Sequence, residues 1–422
     1  MRTLLLRAVL LFFIGVFAIS CTSDGDGESA VTDDTDDSAD DATDDGSDDA
    51  TDDSSDDSSD DDSTDDSGDT TADDSAEPTD DGGDDGDDEG DDDVTEVQSG
   101  DSKLAAVQSA GVVRCGTRDA LPAFAVLTED GDHVGFDADF CRVIAAAVLG
   151  DAEAVEFVDL ETADRFTALQ SDEVDVLVRN TTWTAGRDGG EGATFLQPNF
   201  YDGQGMMVAS DSEFGAIEDL DDGAIICVAQ GTTTEGNAAS EAARLGLDWE
   251  IRGFEDVPLL QEAFVAGQCD GWSSDSSQLA GIRSDFPDGP DALTIFEGVF
   301  SKEPLAPAVA DGDTEWAQVV NWAVSAPIIA EELGIDSSNV DSFADTDDVN
   351  IQRFLGLEIE GDEETAVLDP GLGLPTDFGA QVVSQVGNYA EIFDEHLGSI
   401  GLERGVNALW NEGGIMYAPP YR

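Results

Sequence analysis

Cations are what this chain most lacks. Of its 422 residues only two are lysine, Lys103 and Lys302, and 16 lysines and arginines face 98 aspartates and glutamates, a formal net charge of −82. No basic patch can form on that background, which disfavours nucleic acid and anionic membrane surfaces as partners. Catalytic signatures are missing too. There is no GxSxG, P-loop or HExxH pattern, and the two histidines, His133 before "VGFD" and His396 in the tail, have no nucleophile motif beside them. Cysteine occurs five times and never as a CxxC pair, so the spacings do not favour zinc.

What is present divides the chain. Residues 1–20, "MRTLLLRAVLLFFIGVFAIS", combine Arg2 and Arg7 with an apolar stretch and small residues before Cys21, the pattern of an export signal. The stretch falls short of the roughly 20 apolar residues that a spanning helix needs. The "AISC" end resembles the lipobox of bacterial lipoproteins, with Ala18 where leucine is commoner. That resemblance implies lipidation of Cys21 and anchoring of the exported chain at the cell surface or in the periplasm. From Thr22 to Asp101 there are 38 acidic residues and no lysine or arginine. Such a segment buries too little apolar surface to offset chain entropy, so residues 21–101 are expected to form a disordered, self-repelling tether. Its carboxylates lack the fixed loop register of a calcium site.

The remaining four cysteines form an even set in an exported chain, which points to disulfides. Three connectivities are open to them. Proximity favours Cys115 with Cys141 and Cys227 with Cys269.

From Ser102 onward, strand-like and helix-like runs alternate. "GVVRCGT", "AVEFVDL" and "VDVLV" read as strands separated by helices, and the pattern restarts at "AIICVAQG", "DWEIRGF" and "CDGWSSD". Two α/β units in one chain predict two lobes with a cleft between them. "GQGMMVAS" and "SKEPLAPAVA" are the predicted crossings. The expected organisation is a first lobe over 102–207, a second over 208–300, a return to the first over 301–345, and a C-terminal extension with a helical segment over 346–422.

Open α/β sheets bind ligands beyond the carboxyl ends of their strands. Three polar segments fall there: "RNTTWTAGR", "QGTTTE" and "SSDSS". An arginine can hold a carboxylate with two parallel hydrogen bonds. The N–H groups that open a helix suit the same anion, and Asp275 can meet a cation. Together they make the handle for an α-amino acid.

The ordered segments "GFDADF", "ALQSDEVDVLVRNTTWTAGR", "FYDGQGMMV", "CVAQGTTTE" and "AGQCDGWSSD" resemble the solute-binding proteins of ABC importers for polar amino acids, bacterial solute-binding protein family 3. "SKEPLAP", "QVGNYAEIF", "RGVNALWNEGG" and "MYAPPYR" extend the likeness to the general L-amino-acid-binding branch. The resemblance implies a type II periplasmic-binding-protein fold, with two α/β lobes joined by two hinge strands. It implies Arg187 as the clamp on the ligand α-carboxylate, Thr182 as its neighbour, and Thr233, with Thr234 beside it, reaching the same carboxylate from the second lobe. Asp275 is implied as the acceptor of the α-ammonium. Asp119, Leu121 and Phe124 fall in the first strand–helix loop, where relatives contact the ligand side chain, and Arg179, Asn180 and Trp183 are candidates for the rest of the wall. The implied partners are a free L-amino acid and a permease–ATPase complex, with a monomeric receptor and no cofactor, metal or catalysis. A sensory domain and a cyclohexadienyl-dehydratase-like enzyme on the same fold are the competing readings.

The charge makes one expectation testable without knowing the ligand. From Ser102 the chain carries 60 acidic and 14 basic residues, and self-repulsion of that size weakens the compact state until salt screens it. Thermal unfolding followed from about 0.1 M to about 1 M salt should show a rising midpoint. A midpoint that stays level contradicts the expectation.

Overall fold

In a computed structural model of the chain, residues 102–359 and 367–422 are described. The export signal, Cys21 and the acidic tether lie outside these residues. In chain order the strands are β1 (Val113–Thr117), β2 (Ala120–Leu121), β3 (Ala125–Leu127), β4 (His133–Val134), β5 (Val155–Asp159), β6 (Val176–Leu177) and β7 (Ala193–Phe195). After these come β8 (Phe200–Asp202), β9 (Gln204–Ala209), β10 (Ile225–Ala229), β11 (Glu250–Phe254), β12 (Gly271–Asp275), β13 (Leu293–Ile295), β14 (Glu303–Leu305) and β15 (Ala308–Ala310).

Two five-stranded sheets share one topology. The first runs β5-β1-β6-β15-β7 and the second β11-β10-β12-β9-β13. In each, three parallel strands come from one lobe's own run of sequence, and the fourth is an antiparallel strand that has just crossed from the other lobe. The crossings lie at β8 and β14, which pair antiparallel with Asp202 opposite Glu303. The chain therefore enters the second sheet at Gln204, four residues before position 208, because β9 already pairs with β12 from Gln204 onward. Both lobes lie within one compact unit; two lobes are what the alternating pattern predicts, and the type II arrangement is what the family resemblance implies.

Each lobe carries one disulfide. Cys115 on β1 bonds Cys141 on helix Phe136–Leu149, and Cys227 on β10 bonds Cys269 just before β12. These are the two pairings that proximity favours.

Helix Phe136–Leu149, "FDADFCRVIAAAVL", has hardly a polar face, and nearly all of it is buried. Apolar character on every side marks a helix covered on every side. It packs on β1 and is overlaid by helices Thr314–Glu332 and Phe378–Gln385. The C-terminal extension is thus part of the first lobe's core: Phe354, Phe378, Tyr389 and Phe393 are buried in the same apolar cluster as Phe136 and Phe140. Where the extension is expected to hold one helical segment, the run "DFGAQVVSQVGNYAEIFDEHLG" is two helices, Phe378–Gln385 and Tyr389–His396. Gly387 turns through φ +112°, and Asn388 and Glu391 cap the second helix reciprocally, so the chain re-initiates where a straight helix would continue. No helix among the described residues is long and apolar enough to cross a membrane.

Phe393 joins the extension to the hinge, stacking on Phe200 of β8 with ring centroids 6.3 Å apart. Phe393→Ala should cost about 3–5 kcal/mol of stability, read from denaturant unfolding. A loss well under 1 kcal/mol would show that the extension is not part of the core.

Candidate functional site

The carboxyl ends of β1, β6, β10 and β12 face one cleft, and their last residues or the loops after them supply its polar lining. The cavity measures about 30 Å³, room for no more than a few water molecules. The lobes touch beside it. Gly281, on helix Ser276–Ser284, approaches Pro122 of the first lobe so closely that a Cβ would lie 2.6 Å from the Pro122 carbonyl oxygen. The Asn180 side-chain amide also donates across the cleft to Gln278 Oε1 at 3.3 Å. This is a closed arrangement.

The first lobe brings arginines. Arg187 sits in the short helix Ala185–Gly190, whose N-cap Thr184 accepts from the Arg187 N–H, and its guanidinium donates to the Thr182 carbonyl at 2.8 Å. Arg179 is buried and donates to the Leu160 carbonyl and Thr162 Oγ1. Two further arginines share the cavity: Arg118, after β1, and Arg165, whose guanidinium lies over Phe166 at 4.9 Å. Burial lowers the pKa of Arg118, and lowers that of Arg165 to about 9 with help from Arg187 and Arg118; Arg165 is thus still charged at neutral pH. The Nε atoms of Arg118 and Arg165 are buried without a partner. Among the described residues, none of the four guanidiniums pairs with a carboxylate.

The second lobe and the hinge bring carboxylates. Asp275 ends β12, is 5% exposed, and its Oδ1 has no partner. Burial raises its pKa well above the usual carboxylate range; Asp202 and Glu303 add to the rise, and Arg118 and Arg187 oppose it from across the cleft. Asp202 is raised to about 6 by burial, although it accepts from the Gly203 N–H and from both the N–H and hydroxyl of Ser277. Glu303 is held by the hydroxyls of Thr233 and Ser301 and by the Asn237 amide.

Of the residues expected at the site, Arg179, Asn180, Thr182, Arg187, Thr233, Thr234 and Asp275 converge on the cavity. Thr182 meets Arg187 through its carbonyl. Thr233 lies in the first turn of helix Thr233–Leu245, where backbone N–H groups lack helical partners.

Asp119, Leu121, Phe124 and Trp183 do not line the cavity. Asp119 is exposed, and Leu121 and Phe124 are in the core, where Phe124 meets Phe136 and Phe200 edge-on. Trp183 is 39% exposed and stacks on Phe195. The residues missed from sequence are Arg118, Arg165, Asp202, Glu303 and Gln278. The signal for Arg118 was its scarcity: it is one of 14 cations after Ser102 and stands at the end of a strand.

Residues 113–332 match the family model for bacterial extracellular solute-binding proteins, family 3. A general L-amino acid-binding periplasmic protein of Rhizobium johnstonii is 42% identical over 76% of this chain and 92% of its own length. A glutamate/glutamine/aspartate/asparagine-binding protein of Rhodobacter capsulatus is also 42% identical, over 76% of this chain and 94% of its own. The solved structure of an ABC transporter periplasmic binding protein from Brucella ovis, with glutathione bound, aligns with a TM-score of 0.72 and 39% identity over 76% of this chain and 99% of that one. The chain is a member of the bacterial extracellular solute-binding proteins, family 3.

Proposed function

We propose that the protein captures free L-amino acids in the interlobe cleft and delivers them to an ABC permease and its ATPase. The observation that carries this reading is the opposed pair at the cavity, an arginine set from one lobe facing the partnerless Asp275 of the other. An α-amino acid supplies both missing counter-charges. Its α-carboxylate goes to Arg187 and to the N–H groups that open helix Thr233–Leu245, and its ammonium goes to Asp275. Only the closed state makes both sets of contacts, so ligand favours closure by the difference. The two named relatives and the glutathione-bound structure support a ligand carrying this handle. The export signal, Cys21 and the acidic tether fit a receptor held at a membrane by lipid and working outside it, as a monomer.

A dehydratase would need a positioned acid or base beside a reacting atom. The buried carboxylates here face arginines and an ammonium position instead, which favours binding over catalysis.

Two measurements test the assignment. Calorimetric titration with a panel of amino acids should register binding to the unaltered chain, and Arg187→Ala and Asp275→Asn should each weaken it by about a hundredfold, the scale of a lost charge-assisted contact in a buried site. Wild-type affinity in either variant refutes that residue's role; no heat from any amino acid refutes the reading as a whole.

Binding should also expel protons. Asp275 and Asp202 have raised pKa values in the free protein, and an ammonium stabilises the ionised form of Asp275. Affinity should therefore rise with pH through the value near 6 of Asp202, and further as Asp275 ionises above the usual carboxylate range. Titrations in buffers of different ionisation enthalpy should record proton release, and proton-neutral binding would contradict the site as described.

A further inference from the structure

A second cavity lies against the hinge. It measures about 800 Å³, within the range of small-molecule sites, and it shares no lining residue with the interlobe cleft. Strands β8 and β14 contribute Tyr201 and Pro304, the first lobe contributes Trp183, and the second lobe reaches it at Ser276, where helix Ser276–Ser284 begins. The C-terminal extension supplies Val406 and Ile415. The lining is mostly apolar, and much of it meets solvent: Val299 is 55% exposed, Val406 54% and Ile415 52%. Single apolar side chains on a surface need no explanation, but three from separate segments around one concavity do. The wall they form is fixed in place. Asn407, next to Val406, bonds both the N–H and the carbonyl of Tyr201, and Arg404 is held by Glu331 and by the Asn407 carbonyl.

One positive charge of this cavity is free. Lys302 is exposed, and among the described residues it has no carboxylate within ion-pair distance. The other lysine of the chain, Lys103, pairs with Asp172 and Asp175. The acids beside Lys302 are engaged elsewhere. Asp202 accepts from Gly203 and Ser277, and Glu303 from Thr233, Asn237 and Ser301. Glu403, exposed to water, is the remaining acid of the lining. We propose that the hinge cavity is a second ligand site, for a small molecule with an apolar body and one carboxylate. The body packs on Trp183, Val299, Val406 and Ile415, and the carboxylate meets Lys302. This site stands apart from amino-acid capture, because the two acids nearest Lys302 already hold their donors and leave no place for an α-ammonium beside it. Its walls nevertheless belong to both lobes and to the hinge strands. An occupant that fits the closed arrangement favours closure, and an amino acid in the cleft tightens the occupant in return.

Phenylpropionate, phenylpropanol and phenylpropylamine share one apolar body and differ in charge, so they separate the body from its anchor. Calorimetric titration of the full chain at about 0.15 M salt, which screens the acidic surface, should show phenylpropionate binding with a Kd below about 1 mM, the scale for so small a ligand. The alcohol and the amine should bind more weakly. Lys302→Gln should weaken phenylpropionate about fivefold, the worth of one exposed ion pair, and Val406→Asp, at an exposed position, by about tenfold or more. An amino acid that the cleft binds should tighten phenylpropionate when present at saturation. Failure of all three probes to bind, or a phenylpropionate affinity untouched by Val406→Asp, overturns the site. An amine bound as tightly as the acid, or no effect of Lys302→Gln, overturns the carboxylate anchor. Displacement of phenylpropionate by the amino acid puts the probe in the cleft and overturns the site; an unchanged affinity overturns the link to closure. If no amino acid binds, the reading of the cleft falls, and the phenylpropionate titrations still decide the hinge cavity.

Discussion

The site answers to one arrangement: buried and half-buried guanidiniums on one lobe face buried carboxylates on the other lobe and the hinge without pairing with them. Opposite charges that share a low-dielectric cleft would collapse into ion pairs if their side chains were free to move. Neutral hydrogen bonds restrain several of them. Thr162 and two backbone carbonyls tie Arg165 and Arg179 back into the first lobe. Ser277 holds Asp202, and Thr233, Asn237 and Ser301 hold Glu303. The gap between the poles is therefore built in, and a ligand meets a pre-organised site.

The hinge is part of that arrangement. Asp202 and Glu303 are directly opposite each other across β8 and β14, and like charges in that position ordinarily weaken a pair of strands. Here the cost is offset by the donors around each carboxylate and by the cationic pole beyond. Because these two groups sit on the connections between the lobes, any bend of the hinge moves them relative to Arg118 and Arg187, so the field at the site and the degree of closure change together. The extension steadies the same connection from outside: Asn407 bonds both the N–H and the carbonyl of Tyr201 on β8, and Tyr389 donates to the Asn199 carbonyl.

The two-lobed fold was legible because strand and helix periods alternate twice, and the disulfide pairing because each lobe holds two cysteines close in sequence. The convergence of the polar segments was legible because each follows or ends a strand: Arg187 comes after β6, Thr233 after β10, and Asp275 ends β12. The first strand–helix loop was not. Its expected contacts were Asp119, Leu121 and Phe124, whereas the group that faces the cavity is Arg118, one residue earlier. Local sequence does not say which way a loop side chain turns, and the aromatic cluster of Phe124, Phe136 and Phe200 decides it by drawing Phe124 inward. Trp183 lies outside the small cavity, where Phe195 offers its ring a parallel partner. Arg165, Asp202 and Glu303 were invisible because they converge only through tertiary folding, from positions up to 138 apart along the chain.

Scarcity of cations gives the site its contrast. Four of the 14 basic residues after Ser102 line one small cavity, while the surface around it is overwhelmingly acidic. At physiological ionic strength the surface charges act over roughly 8 Å before salt screens them, but charges inside a closed, low-dielectric cleft are screened far less. An anionic ligand thus meets a weak repulsion at the surface and a strong attraction once inside. Rising salt removes the first more readily than the second. An acidic exterior and an arginine-lined interior are compatible for that reason, and the same net charge that disfavours nucleic acid leaves carboxylate recognition intact.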